Sequence, residues 1–228
     1  GANNTIMGFQ AHGIASGPGA AANNVTIGFQ AQYYSSGSNN VVIGYRAGEN
    51  NQSTGAVLIG YQAGEGITSG TQNTAIGYNA LYVATTAAYN TVIGYNAGDA
   101  ITTSNQNTLV GSSAGSSITS QQYNTMIGSN AGFGVNGGDG SNVAVGRAAL
   151  YYGGNAAANT AVGMMAMYGA SGTLNATANV AVGAQANFAC GTGDYNVAIG
   201  YKAGEKNDNS MHIFIGNLAS GSGVDQEI

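Results

Sequence analysis

The sequence predicts an all-β fold: a repetitive parallel β-roll, or β-solenoid, of about 13 coils with 16–20 residues each. Three observations support this class. One short phrase built around a glycine recurs along the whole chain, its spacing stays near 17 residues, and the residues before the glycine are β-branched. The thirteen repeat glycines are Gly8, Gly28, Gly44, Gly60, Gly77, Gly94, Gly111, Gly128, Gly146, Gly163, Gly183, Gly200 and Gly216.

The strand of each coil is predicted in the residues that precede the repeat glycine. The residue one before it is Ile or Val, with Met7 as the exception, and the residue three before it is always Thr, Val or Ile. Such a segment is too short for a helix, and β-branched side chains favour strands. Glycine then permits a tight bend, and the alanine that always follows three residues later indicates a crowded interior position.

Both faces of this strand are apolar. The residues one and three before the glycine share one face, which we predict to be the interior of the coil. The residue two before is apolar in twelve of thirteen coils, and a strand that is apolar on both faces is buried on both. We therefore expect a second copy of the chain to cover that face. The residue four before the glycine is Asn in eleven of thirteen coils, and this asparagine column should form a hydrogen-bonded ladder at the edge of the contact. The candidate residues at the oligomer axis are Val42, Leu58, Val92, Leu109, Met126 and Phe214.

The composition narrows the possible partners. The chain has 228 residues, of which 43% are hydrophobic and 6% charged, with a net charge of −5. The hydrophobic fraction is high enough for the chain to fold. The net negative charge leaves no basic surface for nucleic acid or anionic membranes. The sequence also lacks the apolar run of ~18 residues that a membrane helix needs. The single cysteine, Cys190, excludes an internal disulfide.

The repeats fill residues 1–228 and predict one repetitive segment without a second domain. Gly1 directly precedes the first repeat, and the chain stops at Ile228, where another strand is due. We therefore expect a segment of a longer protein.

Sequence motifs for catalysis occur without the context that they require. The stretch "GSSAG" at 111–115 matches a nucleophile elbow, but it is one copy of the repeat and no helix is predicted after it. The stretch "GFGVNG" at 132–137 matches a nucleotide-binding loop but reads as a linker. We predict no catalytic residue, no cofactor and no enzymatic activity.

Acidic residues recur five positions after the repeat glycine. Such acids could form a calcium site or a catalytic carboxylate pair. We favour a solvated corner of the coil instead, where Arg46 and Lys202 balance the negative charge. The histidines, His12 and His212, have no Cys or acid cluster around them, so no metal site is predicted. The recurrent acids are Glu49, Glu65, Asp99 and Glu205.

Aromatic residues form a column directly after the repeat glycine in seven coils. Such a column either offers a surface for sugars or stabilises the stack of coils, and we favour stabilisation. Variable linkers on a rigid scaffold are the better place for receptor contacts. The column is Phe9, Phe29, Tyr45, Tyr61, Tyr78, Tyr95 and Tyr201, and the linker candidates are Tyr33, Tyr34, Tyr82, Tyr89, Tyr151, Tyr152 and Tyr168.

The repeat phrase, N-[TV]-x-[IV]-G-x-x-A, resembles that of known fibre proteins. The copies "NTAIGYNAL", "NVAIGYKAG" and "NVAVGAQAN" are similar to the head repeats of YadA-type trimeric autotransporter adhesins, and more closely to repeats of phage tail fibres and related bacterial fibre proteins. The resemblance covers essentially the whole chain. It implies a left-handed parallel β-roll, three intertwined chains per fibre and a role in attachment. Adhesin-head repeats are shorter and more uniform, which favours the tail-fibre-like branch.

We therefore expect a homotrimeric, non-enzymatic fibre segment outside the cell, on a virion or a bacterial surface. Its loops would bind a cell-surface glycan or protein receptor. A bacterial adhesin head is the nearest alternative, and a tailspike glycan depolymerase would need a pair of carboxylates in a groove. A monomeric ice- or surface-binding solenoid would use the stacked threonines Thr74, Thr91, Thr108 and Thr125.

Overall fold

The computed structural model describes residues 3–13, 21–169, 174–206 and 208–220. Within these ranges the chain is an all-β solenoid with thirteen strands of three residues and no helix, hence also no helix able to cross a membrane. Each strand ends directly before a repeat glycine, as predicted. The strands are β1 (Thr5–Met7), β2 (Val25–Ile27), β3 (Val41–Ile43), β4 (Val57–Ile59), β5 (Thr74–Ile76), β6 (Thr91–Ile93), β7 (Thr108–Val110), β8 (Thr125–Ile127), β9 (Val143–Val145), β10 (Thr160–Val162), β11 (Val180–Val182), β12 (Val197–Ile199) and β13 (Ile213–Ile215).

The chain divides into two compact units, residues 1–113 and 114–228. In the first unit β1 to β7 pair in parallel, each with the next; in the second, β8 to β13 do the same. The register is constant, so that Val41 lies beside Val57 and Thr160 beside Val180, although 16 residues separate the first pair and 20 the second. The linkers therefore absorb the length differences without shifting the strands.

The prediction of which strand face lies inside was wrong. The middle residue of the strand, two before the repeat glycine, points into the chain's own coil: Val42, Leu58, Val92, Leu109 and Met126 are all 0% exposed in the isolated chain. These five predicted axis residues are therefore core residues. The sixth, Phe214, is partly exposed and packs edge-on against His212.

The residues one and three before the glycine point outward instead, and in β2 to β7 they are half-buried. The sequence did not reveal this because both faces carry apolar side chains, so that alternation alone cannot identify the inner one.

In five coils, those of β4, β5, β6, β7 and β9, one of two arrangements fills the interior. In the coil of β4, Leu58 and Ile67 fill the interior, and the position four after the repeat glycine is Gly64. A Cβ on Gly64 would lie 2.7 Å from Leu58 Cδ2 and 2.8 Å from Ile67 Cδ1, so no side chain fits there. We call this arrangement the glycine-corner coil; the coils of β6 and β7 share it.

The coil of β5 reverses the sizes. The strand residue is Ala75, the residue four after the glycine is Leu81, and Ala84 follows; all three are 0% exposed. We call this the filled-corner coil, and the coil of β9 repeats it with Ala144 and Leu150. Because close packing allows neither voids nor overlap, a large residue at one position requires a small one at the other.

The repeat glycines allow both the bend after each strand and the close stacking of adjacent coils. All thirteen have φ between +129° and +143°, a region that disfavours side chains. They also stack along the coils: a Cβ on Gly44 would lie 2.1 Å from the backbone oxygen of Gly60. Glycine is therefore required by the spacing between coils as well as by the local turn.

The predicted asparagine ladder forms, but inside the chain rather than at the edge of a contact with a second copy. Asn40 donates its backbone N–H to Asn24 Oδ1 at 2.9 Å, and its own Oδ1 accepts from the N–H of Ala56 at 2.8 Å. Its side-chain amide donates to the Ser53 carbonyl at 2.9 Å. Each buried asparagine thus bonds to the coils on either side and to a carbonyl of the linker that follows it. These bonds pair backbone N–H and C=O groups that burial would otherwise leave without a partner.

Candidate binding faces

The outward side of the strands in the first unit is an uncharged surface. It consists of three columns, at three before, one before and one after the repeat glycine, and we call it the strand face. In the coils of β2 to β6 the strand residues are half-buried, and the aromatic residue after the glycine is 39% to 56% exposed. Its outermost column is Phe29, Tyr45, Tyr61, Tyr78 and Tyr95.

The rings of this column stack, as predicted. From Phe9 to Tyr95 successive ring centroids lie 4.9 to 5.8 Å apart, with interplanar angles of 6° to 16°. Each inner ring therefore has both faces against neighbouring rings and presents only its edge to solvent. A sugar cannot stack on those faces, which favours the stabilising role over the sugar platform.

A second group of aromatic residues lies at a corner of the second unit. Phe133, Tyr151, Tyr168 and Phe188 stack at 5.0 to 5.2 Å with interplanar angles of 9° to 12°. Tyr152 stands perpendicular to Tyr151 and Tyr168, at 4.7 and 5.2 Å. We call these five residues the corner cluster.

The three tyrosines of this cluster were predicted from the sequence as receptor contacts, but the two phenylalanines were not. The signal was available, because all four stacked residues lie five positions after consecutive repeat glycines. The pKa of Tyr168 is raised, chiefly by burial and then by Tyr152, so its hydroxyl remains a donor at neutral pH.

The other predicted receptor tyrosines do not join this group. Tyr33 and Tyr34 pack against each other at 4.5 Å, edge to face. Tyr82 and Tyr89 make no ring contact within the described residues, although Tyr89 is 57% exposed. The structure thus separates the seven predicted residues into one cluster, one pair and two isolated side chains.

Three of the four recurrent acids form ion pairs, with Arg46 and Lys202 as predicted. The prediction of a solvated corner was wrong for Glu49 and Glu65, which are only 6% and 9% exposed, because both carboxylates lie buried beside Arg46. Arg46 Nε donates to Glu49 Oε2 at 2.6 Å, and its guanidinium also lies 3.1 Å from Glu65 Oε1. Burial raises the pKa of Glu65, which the hydrogen bond from Gln62 and the charge of Arg46 only partly offset. In the second unit Lys202 Nζ lies 3.8 Å from Glu205 Oε2. One arginine joins the two adjacent carboxylates, so they are not arranged as a separate acid and base.

The remaining polar candidates are distributed singly. Burial raises the pKa of Asp99 and lowers that of His12. Cys190 is buried and its pKa is raised to about 12, so the thiol is not nucleophilic at neutral pH. Within the described ranges no three His, Cys, Asp or Glu side chains group as metal ligands would.

The two short motifs belong to turns. Ser113 of "GSSAG" has φ of 54° at a coil corner, and "GFGVNG" lies in the linker of its coil, where the Gly134 N–H donates to the Tyr151 carbonyl at 2.7 Å. No helix follows either stretch in the described part of the chain.

Comparison with known proteins gives no relative: no family model, no curated protein and no solved structure matches this chain.

Proposed function

We propose that the chain is a non-enzymatic structural and attachment protein: a segment of a trimeric extracellular or virion fibre, similar to a phage tail fibre, that projects loops toward a cell surface. A bacterial adhesin head would use the same geometry. The observation that carries the proposal is the strand face of the first unit.

The strand face has the composition of an interface between identical copies. Its three columns contribute 21 residues in the coils of β1 to β7, and none of them is charged. Sixteen of the 21 are apolar or aromatic, and the other five are four threonines and Ser112. Contiguous, mostly apolar surface of this kind marks interaction sites, because single exposed apolar residues are normal but long stripes are not. Two uncharged faces of the same sequence meet without electrostatic repulsion.

Identical copies with a repeated column match each other coil by coil. If the chains run parallel, the strand faces of three copies enclose a common apolar axis, which is the arrangement that the resemblance implies. The linkers then lie on the outside, where a rigid scaffold presents tyrosine-bearing loops three times, and weak contacts add through effective concentration.

The acid pair supports a non-enzymatic role. Glu49 and Glu65 both pair with Arg46, whereas glycan cleavage needs two carboxylates that face each other across a groove.

The test is the solution mass of the 22.6 kDa chain by light scattering coupled to size exclusion. We expect the mass of three chains. The double variant Ile59→Glu with Ile93→Glu, which places charges on the strand face, should run as a single chain. The control Val83→Glu changes a linker residue of the same unit that is 39% exposed, and it should keep the assembly. A single-chain mass for the unmodified protein would refute the proposal and direct attention to thermal hysteresis, which an ice-binding solenoid would produce.

A further inference from the structure

The aromatic residues of the corner cluster are not required by the coil that carries them. In the first unit the same corner, five after the repeat glycine, holds Glu49, Glu65 and Asp99 in three coils, and those coils keep the common register. Two other coils of that unit carry tyrosines there, Tyr33 and Tyr82, but never in adjacent coils. Four consecutive rings at one corner of the second unit therefore need a reason beyond the stacking of coils.

The backbone holds the cluster rigidly. The Tyr152 N–H donates to the Tyr168 carbonyl at 3.0 Å, and the Gly169 N–H donates to the Phe188 carbonyl at 3.0 Å. Gly169 also makes room for the perpendicular ring, because a Cβ there would lie 2.9 Å from Tyr152 Cβ. A ligand would thus meet rings that are already ordered, which lowers the entropy cost of binding.

Tyr152 offers the ring surface that the stack does not. The inner rings of the stack cover each other's faces, so only their edges and hydroxyls are available. Tyr151 and Tyr168 are adjacent rungs and meet Tyr152 from one side, so at least one face of Tyr152 is free of ring contacts. Tyr152 itself is half-buried. The cluster thus combines one aromatic face that no other ring covers with three tyrosine hydroxyls, the combination of apolar body and polar tip that suits amphipathic ligands.

The surroundings select an uncharged ligand. Between residues 129 and 191 the chain has only two charged side chains, Asp139 and Arg147. Because this region contains one arginine and the chain has a net charge of −5, electrostatic attraction does not favour binding of an anionic polymer. The stacked rings are 5.0 to 5.2 Å apart, close to the length of one pyranose residue in an extended chain.

We infer that the corner cluster is a binding site for an uncharged glycan chain, which lies along the stacked rings with one sugar against Tyr152 and its hydroxyl groups bonded to the tyrosine hydroxyls. This inference rests on the proposed attachment function and supplies the ligand class and the residues for it. Repetition of the site in each copy would raise the avidity for a surface coated with the glycan.

The test measures binding of the chain to immobilised neutral oligomers of glucose, galactose, mannose and N-acetylglucosamine, with heparin as the anionic comparison. Binding to at least one neutral oligomer is expected, and Tyr152→Ala should weaken it about tenfold or more, as truncation of an interface anchor does. Tyr152→Phe keeps the ring contacts and should lose less. Tyr123→Ala and Tyr195→Ala alter exposed tyrosines of the same unit outside the cluster, and they should bind within about twofold of the unmodified chain.

Absence of binding to every neutral oligomer, preference for heparin, or equal losses in the control variants would overturn the inference. The solution mass separates this failure from that of the proposed function. A three-chain mass without glycan binding supports the fibre proposal and excludes the glycan site. A single-chain mass with Tyr152-dependent binding supports the glycan site and excludes the trimeric fibre.

Discussion

At the scale of single residues, the repeat glycines are the positions where substitution should be most costly. Two separate effects act at Gly94: a φ of +143° that side chains avoid, and a Cβ position only 2.3 Å from the Gly111 backbone oxygen. Gly216 has nearly the same φ, +129°, but among the described residues the atom nearest to a Cβ there would be the Ala219 Cβ, at 4.0 Å. The pair of glycines separates conformational strain from the steric contact between coils.

We predict that Gly94→Ala lowers the free energy of unfolding by about 2–6 kcal/mol, because overpacking adds ~1–3 kcal/mol to backbone strain of ~1–3 kcal/mol. Gly216→Ala should cost only the strain, about 1–3 kcal/mol. Urea unfolding followed by circular dichroism measures both. Equal losses in the two variants would show that the backbone oxygen of the next coil imposes no constraint.

At the scale of one coil, the sequence predicted some features well and one poorly. Strand positions, parallel order and register followed from the column of glycines and β-branched residues, since each column fixes one residue per coil. The inner face did not, because Leu58 inside and Ile59 outside are equally apolar. What identifies the interior is a size correlation between distant positions: Leu58 with Gly64 in one coil, but Ala75 with Leu81 in the next.

This correlation predicts that one type of coil can be converted into the other. Leu58→Ala with Ile67→Ala should cost about 2–5 kcal/mol for each cavity. Adding Gly64→Leu to that pair reproduces the filled-corner set of the β5 coil and should restore at least about 2 kcal/mol of the loss, even though leucine at a φ of +59° costs ~1–2 kcal/mol.

Two controls accompany the triple variant in thermal and urea unfolding. Gly64→Leu alone should destabilise, because the new side chain meets Leu58 and Ile67. Gly55→Leu in the background of the two alanine substitutions places leucine at another glycine of positive φ, in a position where only Gln72 Cγ, at 3.6 Å, is near. Restoration by Gly55→Leu as large as that by Gly64→Leu would contradict the account of the core.

At the scale of the whole molecule, the candidate sites were predicted only in part. The tyrosines of the corner cluster were named from their linker positions, but their grouping with Phe133 and Phe188 depends on stacking between coils, which sequence distance conceals. The prediction of the inner strand face was wrong, so the proposed association surface lies on the opposite face from the one expected from the sequence. Association is still expected, because a strand that is apolar on both sides has one apolar side left over whichever side is buried.

The proposed parallel assembly makes a specific geometric prediction for the strand face. A residue close to the axis of a cyclic assembly lies near its own equivalents in the other copies. Ile93→Cys should therefore form disulfides between copies under mild oxidation, because bridged cysteines need Cα atoms within about 7 Å. Denaturing electrophoresis without reductant would show covalent oligomers. The native Cys190 does not interfere, since it is buried and its pKa is about 12.

Val83→Cys, on a linker of the same unit, is the matched control and should remain a single covalent chain. Cross-linking of both variants to the same extent would indicate random collision. Cross-linking of Val83→Cys alone would place the contact between copies on the linkers, and the strand face would then require another partner to cover it.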